Sequence, residues 1–148
     1  MRQKLEQLFE PRSIAVIGAS EREGSAGRMI MENLTRHGFP GSLYPVSSKH
    51  SSILGMPAYS KVGKIPEPAD VAIFCAPFRV LRQVVDECVE ANIGSILFFG
   101  PDFDTQDAAT IDYINKKCKQ GEIRMLGPYS LGYIHPHKMI YATNMPVE

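Results

Sequence analysis

The sequence predicts an α/β fold, a doubly wound parallel sheet in a single domain, on three observations. Short apolar runs alternate with stretches of helical spacing along the whole chain. The runs around Ile14–Ile17, Asp70–Ala76 and Ser95–Phe99 are apolar enough for strands covered on both faces, and each is followed at once by Gly18, Pro77 or Gly100. At 148 residues the chain suits one domain, residues 1–148, and is long enough to bury a core. Such alternation puts helices on both faces through right-handed crossovers.

Each element follows from local pattern. A short amphipathic helix within residues 3–9, closed by Pro11, would lie across the sheet edge. Ile14–Ile17 is the first strand, stopped by Gly18. From Ser25 the apolar positions Ala26, Ile30 and Leu34 recur every four residues, with Gly38 placed for a left-handed helix C-terminus. Ser42–Val46 reads as the second strand with Pro45 at its end, and Ser47–His50 as a polar turn. Gly55, Pro57, Gly63, Pro66 and Pro68 leave little room for a long helix, so this crossover is irregular.

Asp70–Ala76 is the third strand, ended by Pro77. Val80, Leu81, Val84, Val85 and Cys88 give the next helix a broad apolar face, and Gly94 ends it before the strand Ser95–Phe99. Gly100 to Asp104 form a loop, and a helix from about Gln106 to Lys119 carries Ile111, Ile114 and Cys118 inward to a stop at Gly121. Ile123–Leu126 is a fifth strand, and Gly127–Gly132 a small-residue loop. The tail, about residues 133–148, is irregular apart from a short strand around Met139–Thr143. The sum is a Rossmann-like sheet, with no internal repeat.

Composition narrows the function classes. The formal net charge is zero, so no global field draws the chain to nucleic acid or to a membrane surface, and recognition of an anion must be local. No apolar run approaches the roughly eighteen residues of a membrane helix, and MRQKLEQLFEPR lacks the apolar segment of a signal peptide, which points to the cytoplasm. The three cysteines, Cys75, Cys88 and Cys118, are widely spaced and suit a reducing compartment.

In an open parallel sheet the loops after the strands share one end, so Gly18–Gly27, Val46–His50, Ala76–Phe78 and Gly100–Asp104 would all face a ligand in the crevice. The first has the small residues that let backbone amides and a helix dipole meet a phosphate, although its spacing is not GxGxxG. The second carries Ser47, Ser48, Lys49 and His50 where an NAD site would place an acidic residue, which suits a phosphorylated ribose as in NADP or coenzyme A. Lys49 and His50 are equally readable as solvated turn residues. Arg22 and Arg28 either clasp phosphate or stand exposed.

VIGASEREGSAGR, NLTRHGF, LYPVSSK, IPEPADVAIFCAP, ECVEANI and LGPYSLG, in this order from about Leu8 to Thr143, resemble the amino-terminal CoA-binding domain of the NDP-forming acyl-CoA synthetases. That domain is related to the alpha subunit of succinyl-CoA synthetase and also occurs in protein lysine acetyltransferases. The resemblance implies that Gly18, Ala19 and Ser20 contact the coenzyme's phosphates, and that Ser25 and Gly27 open the following helix. It implies that Lys49 meets the phosphorylated nucleotide end, that Cys75, Ala76 and Pro77 lie against the nucleotide, and that Gly100, Pro101 and the residues to Phe103 approach the pantetheine arm. Asp102 stands where the family commonly has a glycine, and Tyr129 where it has an asparagine.

The resemblance further implies that turnover needs a ligase-like domain bearing a phosphohistidine and an ATP-grasp domain, in the parent chain or a partner subunit. This chain alone is then expected to bind acyl-CoA or CoA without catalysis. Two other readings draw on the same residues. One is an NADP-dependent oxidoreductase or redox-sensing module, for which no paired acid and base is evident; the other is a CoA-sensing domain of a lysine acetyltransferase.

The remaining candidates have plainer readings. His135 and His137 lack the cysteines or carboxylates of a metal site. His37 suits the negative end of a helix dipole. Cys88 and Cys118 suit the core, and Cys75 suits packing beside the crevice.

Overall fold

The computed structural model describes residues 2–99 and 107–148. Five strands form one parallel sheet: β1 (Ser13–Ile17), β2 (Ser42–Val46), β5 (Val71–Phe74), β6 (Ser95–Phe99) and β7 (Arg124–Ser130), in the order β2-β1-β5-β6-β7. Strand residues point alternately to the two faces, so each apolar run supplies two cores at once. Ile14, Val16, Val71, Ile73, Leu97 and Phe99 face one side, where they meet Leu8 of α1 (Lys4–Phe9) and Ile30, Met31 and Leu34 of α2 (Ala26–Arg36). Ala15, Ile17, Ala72, Phe74, Ile96 and Phe98 face the other side, packed on Leu81, Val85 and Cys88 of α3 (Leu81–Glu90) and Ile114 and Cys118 of α4 (Ala108–Gln120). The doubly wound α/β arrangement expected from the sequence is therefore the one observed. Among the described residues no helix is long and apolar enough to cross a membrane.

The crossover from β2 to β5 contains no α-helix, as its glycines and prolines predict. A small antiparallel hairpin, β3 (Ser52–Ile53) and β4 (Met56–Pro57), turns at Leu54 and Gly55, whose φ angles are 49° and 77°. Pro45 lies one residue inside the end of β2, tolerated because β2 is an edge strand.

Three details depart from the sequence reading. The third strand stops at Phe74 rather than Ala76. α3 ends at Glu90, before Gly94, and is followed by the left-handed Asn92 (φ 55°), whereas α4 stops at Gly121 as expected, with the left-handed Glu122 (φ 54°) after it. Gly94 is needed for another reason: a β-carbon there would lie 2.7 Å from the Asp70 carbonyl oxygen. Gly127–Gly132 is not a free loop, because β7 runs on to Ser130 and pairs with Phe99 after a bulge, through a cis Gly127–Pro128 bond.

The tail, too, is more ordered than expected. β8 (Gly132–His135) and β9 (Ile140–Thr143) form an antiparallel hairpin that lays Ile140 and Ala142 on the α2 side of the core. Asn33 of α2 ties it down by donating to the carbonyls of Thr143 at 2.9 Å and Met145 at 2.7 Å.

Candidate functional site

β1 hands over to α2 at the point where the sheet's connections diverge, β2 to one side and β5 to the other, which is where open α/β sheets form a crevice at the carboxyl ends of their strands. Gly18 sits there at φ 85°. Its amide and that of Ala19 both donate to the Val46 carbonyl at the end of β2, at 3.0 and 3.2 Å. On the other side the Cys75 amide donates to the Ile17 carbonyl at 2.7 Å. A β-carbon on Gly18 would lie 2.6 Å from the Ala76 nitrogen, and one on Gly27 would lie 2.1 Å from the Gly18 carbonyl oxygen. Bare backbone from three segments is thus in contact, and only glycine permits it at these two positions.

The loop between them is organised by its own hydroxyls. Ser20 Oγ accepts from the Arg22 amide at 3.0 Å, and Ser25 caps α2, its Oγ accepting from the Arg28 amide at 3.2 Å and donating to the Arg22 carbonyl at 2.7 Å. The next amides inward, of Ala26 and Gly27, have no acceptor among the described residues. With the helix dipole behind them they form a place suited to an anion. Arg28 is already engaged: its Nε donates to Glu32 at 2.8 Å, which holds the guanidinium above its ordinary pKa, and its Nη1 donates to the Glu21 carbonyl. Arg22 is exposed.

The polar turn after β2 lies at the same rim. Ser47 Oγ accepts from the amides of Lys49 at 3.3 Å and His50 at 3.2 Å, which closes the turn and leaves the Lys49 side chain exposed. The hairpin segment runs alongside: Tyr59 exchanges backbone bonds with β2, its amide donating to Pro45 and its carbonyl accepting from Ser47, both at 2.9 Å. Ala76 and Pro77 follow β5 and lead through a 3-10 turn at Phe78–Val80 into α3.

The structure therefore brings Gly18, Ala19, Gly27, Cys75 and Ala76 into one junction, with Ser20, Ser25 and Pro77 in the same loops and Lys49 three residues beyond Val46. Gly100, Pro101, Asp102 and Phe103, and the side chain of Tyr129, lie outside the described residues. The other candidates stand apart. His37 stacks on Tyr141 with ring centroids 4.0 Å apart, and His135 lies 3.8 Å from Glu10. Cys88 and Cys118 are buried, and burial pushes the Cys118 thiol up to about 11. Among the described residues no cluster of three metal-ligating side chains occurs. The Val46 carbonyl and the hairpin after it, which shape this rim, carry no side-chain signature by which the sequence could have shown them.

The family described as "CoA binding domain" matches residues 12–136. An ADP-forming acetate–CoA ligase I of Archaeoglobus fulgidus is 34% identical over 142 residues, 94% of this chain and 20% of that protein. The alpha subunit of the ADP-forming acetate–CoA ligase I of Pyrococcus furiosus is 30% identical over 151 residues, 97% of this chain and 33% of the subunit. Among solved structures, the dinucleotide forming acetyl-coenzyme A synthetase 1 of Ca. Korarchaeum cryptofilum, in complex with phosphate and ADP, superposes with a TM-score of 0.90 at 30% identity over 96% of this chain and 31% of that one. The chain thus spans between a fifth and a third of the length of these relatives.

Proposed function

Because the chain belongs to the CoA-binding domain family, we propose that it binds coenzyme A across the carboxyl ends of β1, β2 and β5. The coenzyme's phosphates lie against the turn Gly18, Ala19 and Ser20 and the open amides of Ala26 and Gly27 in the first turn of α2, which Ser25 caps and Gly27 keeps close. Lys49 meets the phosphorylated ribose, and Ala76 and Pro77 lie along the nucleotide. The observation that carries this reading is the junction of Gly18, Gly27 and Ala76, whose contacts leave no room for a β-carbon at either glycine. Phosphate oxygens approach backbone donors most closely where side chains are absent, and a neutral chain holds a polyanion by such local means.

The larger activity follows the relatives: the domain presents CoA, as a substrate, within an ADP-forming acid–CoA ligase. The phosphohistidine and ATP-grasp parts belong on this reading to further domains or to a partner subunit, and this domain alone turns nothing over. Its own residues bind and orient the coenzyme.

Thermal unfolding with and without CoA tests the binding. A hundredfold excess over Kd should stabilise the fold by about 2.7 kcal/mol. Lys49→Ala should weaken CoA by about 1–3 kcal/mol, the value of a charge-assisted bond, and dephospho-CoA far less. No response to CoA would overturn the reading, and equal losses for the two ligands would remove Lys49 from the phosphate site.

A further inference from the structure

Glu21 stands inside the anion-binding loop, where a carboxylate works against a polyphosphate, and the reading above gives it no task. Its Oε1 accepts a 2.7 Å hydrogen bond from the backbone N–H of Leu54, a residue 33 positions away in the chain. The Glu21 carbonyl is itself held by Arg28 Nη1, and Arg28 is held by Glu32. A continuous set of bonds therefore runs from the body of α2 to the tip of the β3–β4 hairpin.

That tip needs holding. Leu54 and Gly55 both have positive φ, 49° and 77°, as a two-residue type I′ turn demands, and a leucine adopts this conformation with difficulty. Packing of Ile53 and Leu54 on the core around Ala19 and Ile30 helps to keep it there. The turn bearing Lys49 hangs between this hairpin and β2. At one end Val46 accepts the amides of Gly18 and Ala19; at the other, Ser51 accepts the Ala58 amide at 2.9 Å, which joins the turn to the hairpin.

We propose that Glu21 is a positioning residue: it fastens the β3–β4 hairpin to the glycine loop, and so fixes where the Lys49 turn stands relative to phosphates bound at α2. Its carboxylate faces an amide of the protein, and its charge is spent on a clasp. The ligand in this inference is the one proposed above, whereas the clasp is a property of the free protein.

The test combines amide hydrogen exchange on the ligand-free protein with titrations of CoA and dephospho-CoA, for wild type, Glu21→Ala and Glu21→Gln. Glu21→Ala should speed exchange at Leu54 and also at Lys49 and His50, whose amides close the turn. It should raise the Kd for CoA about three- to tenfold, the worth of one hydrogen bond, with dephospho-CoA changed less than roughly twofold. Glu21→Gln should behave as wild type, because its carboxamide oxygen accepts the same N–H. In a Lys49→Ala background, Glu21→Ala should add no further loss.

Faster exchange confined to Leu54 with unchanged CoA affinity would overturn the proposal, as would tighter CoA binding by both Glu21 variants, since charge and not the clasp would then be what Glu21 contributes. Failure of the coenzyme reading is distinguishable: wild type would not bind CoA, and the exchange pattern at Lys49 and His50 would alone decide the clasp.

Discussion

At the amino ends of the strands Asp70 Oδ2 accepts from Arg2 at 2.9 Å and from the Arg12 amide at 2.8 Å, while Ser13 Oγ takes the Asp70 amide at 3.0 Å; at the carboxyl ends the amides of Ala26 and Gly27 find no acceptor among the described residues. The amino end ties Asp70 to partners within the protein, and the carboxyl end leaves two helix amides open to a ligand. A neutral chain thus keeps stabilising contacts at one end and open donors for recognition at the other. Substitutions can separate the two, since contacts at opposite ends share no partners and their effects should add.

The largest effect is expected from filling the junction. Gly18→Ala would force a side chain onto φ 85° and to within 2.6 Å of the Ala76 nitrogen. The combined cost of a left-handed backbone and overpacking is about 2–5 kcal/mol, read as a fall in the urea midpoint, and CoA binding should go with it. At the opposite end, Asp70→Ala takes one partner from the partly buried Arg2, which keeps Glu6 and the Glu10 carbonyl, and removes the acceptor of the Arg12 amide, for a loss of about 1–3 kcal/mol. Its Kd for CoA should stay at the wild-type value; a weakened Kd would mean that the two ends are coupled.

Ser25→Ala sits on the boundary between the two roles. It removes the cap of α2, which costs about 1 kcal/mol, and it loosens the loop beside the open amides, so stability and CoA affinity should both fall. The smallest effect is the most diagnostic of pH. Asp107 caps α4, accepting from the Thr110 hydroxyl at 2.8 Å and the Thr110 amide at 3.0 Å, and these bonds hold its carboxyl below the usual range. A carboxylate whose pKa is lower folded than unfolded adds stability above its unfolded pKa and loses it as pH falls through the folded value. Asp107→Ala should therefore destabilise the protein at neutral pH and change little in acid, as denaturant melts at the two conditions would read.

The part of this architecture that was legible in the sequence is the part written by neighbours in the chain. Ser95–Phe99 is a strand because every residue in it is apolar or small and both faces are covered, and the observed strand has the same limits. The helix start at Ser25, the turn at Gly18 and the closure at Gly38 depend on single residues beside an apolar run, and all three are found where the pattern puts them.

Elements that depend on distant partners left weaker traces. The two-residue strands of the β3–β4 hairpin are too short to show a period, and among the described residues β8 pairs with β9 alone. Gly127–Pro128 reads as a turn, yet Gly127 is there because a β-carbon would lie 2.4 Å from the Phe98 carbonyl oxygen as β7 passes β6. The site follows the same division. Gly18, Ser25 and Lys49 could be picked out from their loops, whereas the bond from Leu54 to Glu21 spans 33 residues and has no local sign.

The central claim is that the ligand sits on backbone amides at the carboxyl rim of the sheet. A CoA titration followed by amide chemical shifts on the isotopically labelled protein tests it most directly. The expected result is that the resonances of Gly18, Ala19, Ser20, Ala26, Gly27 and Ala76 move together with saturating CoA, while those of Arg12, Asp70 and Gly94 stay still. Shifts centred instead on the groove of about 560 Å³ lined by Lys4, Lys119 and Arg124, beside the amino end of β7, would contradict it.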